Sequence, residues 1–423
     1  MLHLSIKILI FYVLDKTMYN RNSTRSSRSG GRAGGSGWKN KSRGAKPQLR
    51  GRKFSGEKID INRFINQAVK ISDTPAFVPQ YSFNELDIRP ELKEAIAKKG
   101  YVNPTPIQDL TIPIILTGQD VIGLANTGTG KTGAFLIPLI HKILLDPKQQ
   151  VLIVTPTREL ATQIQEEFFS LAKNLRIHSA AVIGGARMHD QVMQLRKHPN
   201  VVIGTPGRLK DLITRKFLDL RFFNNIVLDE ADRMLDMGFI NDVKLLLSLA
   251  AKERQVLLFS ATLGKEIENL VDQFLVNPAK ISIKCGETSK QVDQNIVRVK
   301  SGEDKIDILH NMLMKDEFEK VLIFTRTKHG ADNLSKKLYI KGLPSEAIHG
   351  NKTHSKRQQV LKKFKDSSIN ILIATDVAAR GLDIPNVSNV INFDVPATYE
   401  DYVHRIGRTG RADKNGVALT FIN

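Results

Sequence analysis

The stretch that decides the fold is Ala125-Asn126-Thr127-Gly128-Thr129-Gly130-Lys131-Thr132. An apolar run, residues 120–124, precedes it, and a segment that can open a helix, residues 133–137, follows it. This order of strand, glycine loop and helix is typical of a phosphate-binding loop, in which backbone N–H groups surround phosphate oxygens. The pattern predicts that Lys131 reaches the β- and γ-phosphates and that the Thr132 hydroxyl ligates Mg²⁺. Ala125 replaces the first glycine of the general pattern, so a glycine-rich turn without a ligand is the alternative.

The composition limits the class of protein. The chain has 423 residues, which corresponds to two or three domains, and 41% of them are hydrophobic, enough for sizeable cores. Its formal net charge is +20, which indicates an anionic partner such as a nucleic acid or an anionic membrane surface. The single cysteine, Cys285, excludes an intramolecular disulfide and a zinc site built from cysteines. A reducing compartment, the cytoplasm, fits this composition.

The first 58 residues divide into an apolar start and a basic arm. Residues 1–17 contain an apolar run that is too short to span a bilayer, and no signal-peptide cleavage site follows it. We therefore expect residues 1–17 to be a start-site artefact and Met18 to begin the working protein. Residues 18–58 are rich in Arg, Gly and Ser, which predicts a disordered arm. The charge of this arm favours a sequence-tolerant RNA tether over a solvated tail.

Regular structure is predicted from residue 59 onward. Residues 59–76 carry apolar side chains at a spacing that predicts a short amphipathic helix followed by a linker. Beyond them, continuous β-branched runs alternate with helical periodicity, which predicts parallel strands buried on both faces with helices outside. The runs lie at residues 120–124, 151–154, 201–203, 226–228, 256–259, 321–324, 371–374, 390–393 and 417–421. We expect two α/β domains, residues 77–284 and 292–423, joined by a linker at 285–291.

Charged residues follow several of these strands. In open parallel sheets, ligands bind at the carboxyl ends of the strands, so these residues are candidates for a binding site. Asp229 and Glu230 end an apolar run, so Asp229 can hold Mg²⁺ through its waters and Glu230 can orient or deprotonate the attacking water. Arg408 and Arg411 lie in the second half of the chain, which has no phosphate-binding loop. An arginine supplied across a cleft stabilises charge on a transferring phosphoryl group, whereas a basic surface helix is the alternative. One nucleotide site for two domains predicts that ATP lies between them.

The motif Asp229-Glu230-Ala231-Asp232 resembles the signature of the DEAD-box RNA helicases. The resemblance extends from about Phe83 to Phe421 and implies two tandem RecA-like domains. Phe83 with residues 100–108 resembles the adenine-reading Q motif, in which Gln108 hydrogen-bonds the adenine edge and Phe83 stacks on the base. An amide that donates and accepts can distinguish adenine from guanine.

The resemblance also assigns roles to individual residues. It implies catalytic roles for Lys131, Thr132, Asp229, Glu230, Arg408 and Arg411, the last two as arginine fingers. It implies nucleotide contacts for Phe83, Gln108, Thr127, Gly128, Thr129, Gly130, Lys131, Thr132 and Asp383, the last with the ribose. It implies RNA contacts for Pro156, Thr157, Arg158, Gly184, Gly185, Thr205, Pro206, Gly207, Arg208, Arg326, Gly350, Arg357, Thr375 and Asp376. The implied metal is Mg²⁺, held by Thr132 and Asp229.

Two features depart from the family pattern. His354 stands where glutamine is usual, although Arg357 is retained. The chain also stops at Asn423, where the family normally continues into a further helix, so we expect a fragment or a truncated gene.

These observations predict an ATP-dependent RNA helicase that acts as a monomer on RNA, with ATP and Mg²⁺ and without a membrane. RNA-stimulated hydrolysis between the two domains would drive local unwinding of duplexes or remodelling of RNA–protein complexes. The alternatives are an RNA clamp that uses ATP without productive unwinding, a DNA-translocating helicase, and a membrane-anchored protein.

Overall fold

The protein is described by a computed structural model that covers residues 60–67, 77–126, 128–283, 292–379, 387–410 and 416–422. The described residues all belong to one compact unit that contains two parallel sheets. Residues 1–17, 18–58 and 285–291, for which we predicted an artefact, a basic arm and a linker, lie outside the described residues.

The first sheet is built from strands that carry continuous apolar side chains in their centre. Its strands are β1 (Val121–Leu124), β2 (Val151–Val154), β3 (Ser179–Val182), β4 (Val201–Gly204), β5 (Asn225–Asp229), β6 (Gln255–Ser260) and β7 (Ala279–Ser282). Within the described residues they pair in the order β3-β4-β2-β5-β6-β1-β7, each pairing parallel. Because β5, β6 and β1 are parallel neighbours, the phosphate-binding loop after β1 and the Asp229–Glu230 pair at the end of β5 lie at the same carboxyl edge of the sheet.

Helices cover both faces of this sheet. They are α1 (Pro90–Lys98), α2 (Pro106–Leu116), α3 (Lys131–Leu145), α4 (Arg158–Ala172), α5 (Met188–Leu195), α6 (Pro206–Thr214), α7 (Ala231–Asp236), α8 (Ile240–Leu249) and α9 (Lys265–Phe274). A separate apolar cluster lies on each face, because strands buried on both sides need cover on both sides.

The second sheet repeats this arrangement. Its strands are β8 (Val292–Arg298), β9 (Val321–Phe324), β10 (Ser345–Ile348), β11 (Ile371–Ala374), β12 (Asn389–Asn392) and β13 (Gly416–Ile422). Within the described residues they pair in parallel in the order β10-β11-β9-β12-β13-β8. The flanking helices are α10 (Lys305–Leu313), α11 (Lys328–Ile340), α12 (His354–Lys365), α13 (Asp376–Ala379) and α14 (Tyr399–Ile406). This sheet too has an apolar cluster on each face.

The segment before the first domain differs from its predicted amphipathic helix. Ile61–Phe64 form one turn of 3₁₀ helix, capped by the Asp60 side chain, which accepts a hydrogen bond from Asn62 N. The chain then extends, and Asn66 forms an antiparallel bridge to Gln294 on β8. Backbone pairing with a strand edge thus replaces the helical bonds that the apolar spacing suggested.

Candidate functional site

The phosphate-binding loop lies between β1 and α3, as predicted. Gly128 and Gly130 adopt positive φ angles of 88° and 95°, which glycine tolerates without a Cβ clash. Lys131 is only 7% exposed, and its Nζ donates a hydrogen bond of 3.0 Å to Ala125 O. Thr132 follows in the first turn of α3, where free backbone N–H groups favour an anion.

Gln108 contacts this loop directly. Its Oε1 accepts a 3.0 Å hydrogen bond from Thr105 N, and its Nε2 donates one of 3.0 Å to Gly130 O. A Cβ added at Gly130 would lie 2.8 Å from Nε2, and one at Gly133 would lie 2.7 Å from it. A side chain at either position would therefore displace the Gln108 amide, and Gly130 also has the positive φ that favours glycine.

Phe83 is placed differently from Gln108. Its side chain is buried and its ring stacks on Tyr101 at a centroid distance of 6.0 Å. The structure therefore brings Gln108 to the phosphate-binding loop and places Phe83 in a pair with another aromatic ring.

Asp229 is the last residue of β5, and Glu230 follows it. In the sheet, β6 lies between β5 and β1, the strand that leads into the phosphate-binding loop. Asp229 is buried, and burial raises its pKa to about 6, although the nearby Lys131 cation acts in the opposite direction. Glu230 has a left-handed backbone conformation, with φ 53°, and its Oε2 accepts a 2.8 Å ion-pair hydrogen bond from Arg233 Nη1. Strained backbone and buried carboxylates are costly and tend to occur at functional sites.

Asp232, the third acidic residue of the motif, connects the segment after β5 to the segment after β6. Asp232 Oδ2 accepts hydrogen bonds from Ala261 N at 3.0 Å and Thr262 N at 3.1 Å. The residues after β5 and those after β6 are thus held together by one carboxylate.

A second site is a cavity of about 430 Å³ between the two sheets. Most residues predicted to contact RNA line it: Pro156, Thr157, Arg158, Gly184, Thr205, Gly207, Arg208, Gly350 and Arg357. Pro206 begins α6 next to them, and a Cβ at Gly185 would overlap the Arg158 guanidinium. These residues come from separate loops and two domains, so only the fold brings them together.

An ion pair crosses this cavity from one domain to the other. Arg357 Nη2 on α12 lies 2.8 Å from Glu159 Oε2 on α4, and both side chains are largely buried. His354 Nδ1 lies 3.7 Å from Glu159 Oε1, which is longer than a hydrogen bond. Burial alone would raise the pKa of the Glu159 carboxyl, but His354 and Arg357 outweigh it and hold that pKa below its usual value.

Comparison with known proteins identifies the family. Residues 105–270 match the family model for the DEAD/DEAH box helicase, and residues 304–413 match that for the helicase conserved C-terminal domain. The chain is 46% identical over 342 residues to the ATP-dependent RNA helicase CshA of Limosilactobacillus reuteri, a match that covers 80% of this chain and 69% of that protein. This chain belongs to the DEAD-box ATP-dependent RNA helicases. It therefore hydrolyses ATP, and the predicted family and activity are confirmed.

Further likenesses agree with this assignment. The DEAD-box ATP-dependent RNA helicase CshA of Geobacillus kaustophilus is 46% identical over 343 residues, covering 81% of this chain and 73% of that one. The solved structure of Saccharomyces cerevisiae Dbp5 bound to RNA and ADP BeF3 superposes with a TM-score of 0.71 at 31% identity, covering 81% of this chain and 89% of that one. The predicted fold of two RecA-like parallel-sheet domains is confirmed.

The second domain of this DEAD-box helicase holds one buried arginine that sequence reasoning assigned no role. Arg405 forms a double ion pair with Asp376, at 2.6 Å and 2.8 Å, and donates further hydrogen bonds to Asn392 Oδ1 and Asp394 O. Asp376, predicted to contact RNA, is therefore engaged by an arginine in this structure. The only sequence signal for Arg405 is its position three residues before Arg408, which was predicted to be an arginine finger.

Other residues that were predicted to act on nucleotide or RNA lie outside this interdomain cavity. Arg326 lines a separate cavity of about 480 Å³ with Lys305 and Asp394, and its backbone N donates a hydrogen bond to Asp394 Oδ2. Thr375 lies between the end of β11 and the start of α13, and Arg408 is buried two residues after α14. Thr127, Asp383 and Arg411 lie outside the described residues, so their roles stay predictions.

Membrane-spanning helices and clusters of metal ligands are both absent from the described residues of the helicase. No helix in that part of the chain combines the length and the apolar character that crossing a bilayer requires. The same residues contain no group of three or more His, Cys, Asp or Glu side chains that could hold a metal by themselves.

Proposed function

We propose that ATP hydrolysis takes place where the first domain's phosphate-binding loop meets arginines of the second domain. Lys131 binds the β- and γ-phosphates, Glu230 orients or deprotonates the attacking water, and Arg408 and Arg411 stabilise charge on the γ-phosphate. The observation that carries this proposal is the pairing of Lys131 with a neutral backbone carbonyl beside two buried carboxylates. A phosphate oxygen can replace that carbonyl at little cost, because the lysine is already desolvated.

The nucleotide is read by the residues around the loop. Gln108 already bonds Gly130 O, so its amide couples recognition of the adenine edge to the shape of the loop. The resemblance assigns ribose binding to Asp383 and base stacking to Phe83, whose ring would have to turn from its buried position against Tyr101 to reach the base. Gly128, Thr129, Gly130 and Thr127 supply backbone N–H groups to the phosphates.

Thr132 and Asp229 fit a magnesium ion that arrives with ATP. A hydroxyl and a carboxylate are hard oxygen donors, and Mg²⁺ is usually held by one or two carboxylates plus substrate phosphates rather than by an all-protein cage. When bound, Mg²⁺ neutralises charge on the phosphate oxygens. The absence of an all-protein cluster of acidic ligands among the described residues is compatible with this arrangement.

RNA binds in the cavity between the domains, largely without regard to sequence, as a single strand or short duplex. Its lining offers arginines, hydroxyls and glycine backbone groups, which recognise phosphates and 2′-hydroxyls. The ion pair of Arg357 with Glu159 spans this cavity, so RNA binding and domain closure act on the same contacts. Thr375 and Arg326 extend the RNA path along the second domain.

Closure on RNA completes a hydrolysis site that neither domain holds alone, and reopening after phosphate loss releases the RNA. The work done is local unwinding of short duplexes, or remodelling of RNA–protein complexes. An RNA clamp without productive unwinding would show the same contacts. A duplex-release assay separates the two, because strand separation should depend on ATP hydrolysis in the helicase and should be absent from the clamp.

We also propose the domain bounds, a role for the basic arm, and the oligomeric state and localisation of the protein. Residues 77–284 and 292–423 form the two domains, and the basic arm of residues 18–58 tethers RNA by charge. Removing residues 18–53 should weaken RNA affinity and reduce its salt dependence, whereas ATP hydrolysis without RNA should be unchanged. Equal salt slopes would contradict the tether. The protein works as a cytoplasmic monomer, which fractionation and light scattering of the purified chain can test.

A further inference from the structure

Residues 60–67, here termed the clasp, lie on the second domain although they precede the first domain in the sequence. Asn66 N donates a 3.0 Å hydrogen bond to Gln294 O, and Gln294 N donates one of 2.8 Å to Asn66 O. Gln294 is on β8, an outer strand of the second sheet. The clasp therefore occupies a strand edge that would otherwise present unpaired backbone groups there.

Side chains of the clasp extend this contact into the core. Phe64 is 1% exposed, and its ring centroid lies 4.7 Å from that of Tyr402. The Arg63 guanidinium carbon lies 3.6 Å from the centroid of the Tyr399 ring, within the range of a cation–π interaction. A buried aromatic ring and a stacked guanidinium are the contacts of a docked segment, not of a solvated one.

Both aromatic partners belong to α14. Tyr402 also donates a 3.0 Å hydrogen bond to Gln294 Oε1, so the same β8 residue contacts the clasp backbone and this helix. Arg405, one turn further along, fixes α14 to Asp376. The helix ends at Ile406, two residues before Arg408. The clasp and the Arg405 ion pair thus hold the helix that leads into Arg408.

We propose that Phe64 is a positioning residue for ATP hydrolysis: the clasp holds α14 in the orientation from which Arg408 reaches the γ-phosphate. This inference rests on the role of Arg408 under the proposed function. The clasp lies outside the residues that match either family model, 105–270 and 304–413. Small displacements of a catalytic group are costly because transition-state contacts need close alignment.

The test compares Phe64→Ala with Ile61→Ala in the full chain. Ile61 lies in the same 3₁₀ turn but is 43% exposed, so it is a matched control. We expect Phe64→Ala to lower kcat of RNA-stimulated ATP hydrolysis by about ten- to a hundredfold, since misplacement by about 1 Å can cost that much. ATP affinity without RNA should not change, because ATP binds the first domain. Phe64→Leu should restore most of the rate, and Ile61→Ala should behave as the wild type.

Arg408→Ala is the reference variant that distinguishes the catalytic role of Arg408 from the positioning role of Phe64. Wild-type hydrolysis in Arg408→Ala would remove the proposed role of Arg408 and, with it, this inference. Loss of hydrolysis in Arg408→Ala together with a wild-type kcat in Phe64→Ala would overturn the inference alone. If Phe64→Ala abolishes cooperative unfolding of the second domain, Arg63→Gln replaces it. That variant should lower kcat about threefold, with no further loss on adding Tyr399→Leu, because the two residues share one contact; an unchanged kcat would overturn the inference.

Discussion

The two sheets each bury a cation near their carboxyl edge, and the two cations are paired in opposite ways. Lys131, after β1, is 7% exposed and donates to the backbone carbonyl of Ala125. Arg405, at the end of α14, is 2% exposed and forms a double ion pair with Asp376. Equal burial therefore does not indicate equal function. A cation held by a neutral oxygen is available to a phosphate, whereas one held by a carboxylate stabilises its own domain.

This difference separates Arg405 from the arginines that are proposed to act in catalysis. Arg405 uses its guanidinium within the domain, and the proposed role at the γ-phosphate belongs to Arg408 and Arg411. Under that proposal, the first domain supplies the receiving groups and the second supplies the approaching charge. The predictions below test this division.

The largest effect is expected from Arg408→Ala. An arginine finger contributes about 10³–10⁵ in kcat, which corresponds to about 4–7 kcal/mol of transition-state stabilisation. ATP affinity should fall much less, because the charge that Arg408 meets develops in the transition state. Steady-state ATPase assays with saturating RNA, paired with nucleotide titrations, measure both quantities. Arg298→Ala, an exposed arginine at the end of β8, is the control. A parallel loss of affinity and rate would contradict the assignment.

Glu230→Gln is expected to cause the next largest loss. A positioned general base contributes about 10²–10⁴ to the rate, and glutamine keeps the size and hydrogen-bond acceptor of the side chain while removing the base. RNA-stimulated turnover should nearly disappear while ATP still binds. Bound nucleotide also reports that the domain is folded, since the Arg233 ion pair is weakened in this variant. The exposed Glu253→Gln is the control, and unchanged turnover in Glu230→Gln would refute the role.

The interior strands could be predicted from sequence, and the outer strands could not. Runs such as 151–154 and 321–324 are continuous and apolar because both faces are covered. The four strands without a predicted run are those at the edges of the two sheets: β3, β7, β8 and β10. Edge strands are partly exposed, so their side chains alternate or include polar residues and lack that signal.

The site shows a similar limit. The loop, the acidic pair and the separate groups of residues that line the interdomain cavity could each be found, because each group is a short motif, but the sequence does not show that the groups meet in one cavity. Glu159 and Arg405 were assigned no role, because their partners, Arg357 and Asp376, are far along the chain or on another element. Pairwise contacts across the fold leave no local pattern. Resemblance placed Asp376 at RNA, and only the structure shows the arginine that engages it.

Asp376→Asn should act on stability before it acts on RNA. Removing one partner of a fully buried ion pair typically costs about 3–5 kcal/mol. We expect about 2–3 kcal/mol here, because Asp376 is 26% exposed and Arg405 keeps its hydrogen bonds to Asn392 Oδ1 and Asp394 O. Denaturant unfolding should show this loss. Replacing both partners, as Asp376→Asn with Arg405→Met, should recover part of it in a double-mutant cycle. Lower RNA affinity in Asp376→Asn at unchanged stability would instead support the RNA contact implied by resemblance.

The smallest effect concerns Lys142, a second cation of the first domain that is held by a neutral group. Its Nζ donates to the Gln255 side-chain oxygen, and burial lowers its pKa to about 8, against a smaller opposite effect of Asp120. Between about pH 8 and pH 10.5 the unfolded chain therefore binds a proton that the folded chain does not, so this lysine adds stability as the pH rises. One unit of pKa corresponds to about 1.4 kcal/mol, and partial exposure reduces the expected gain to about 1–2 kcal/mol.

The free energy of unfolding of the wild type, compared with Lys142→Met, should shift by this amount in favour of the wild type from pH 7 to pH 10. If the difference in unfolding free energy between the wild type and Lys142→Met does not vary with pH, Lys142 stays charged in the folded state, as an ion-paired residue such as Arg405 does. Lys131 in the phosphate-binding loop would then be the cation of the first domain on which the contrast with Arg405 depends.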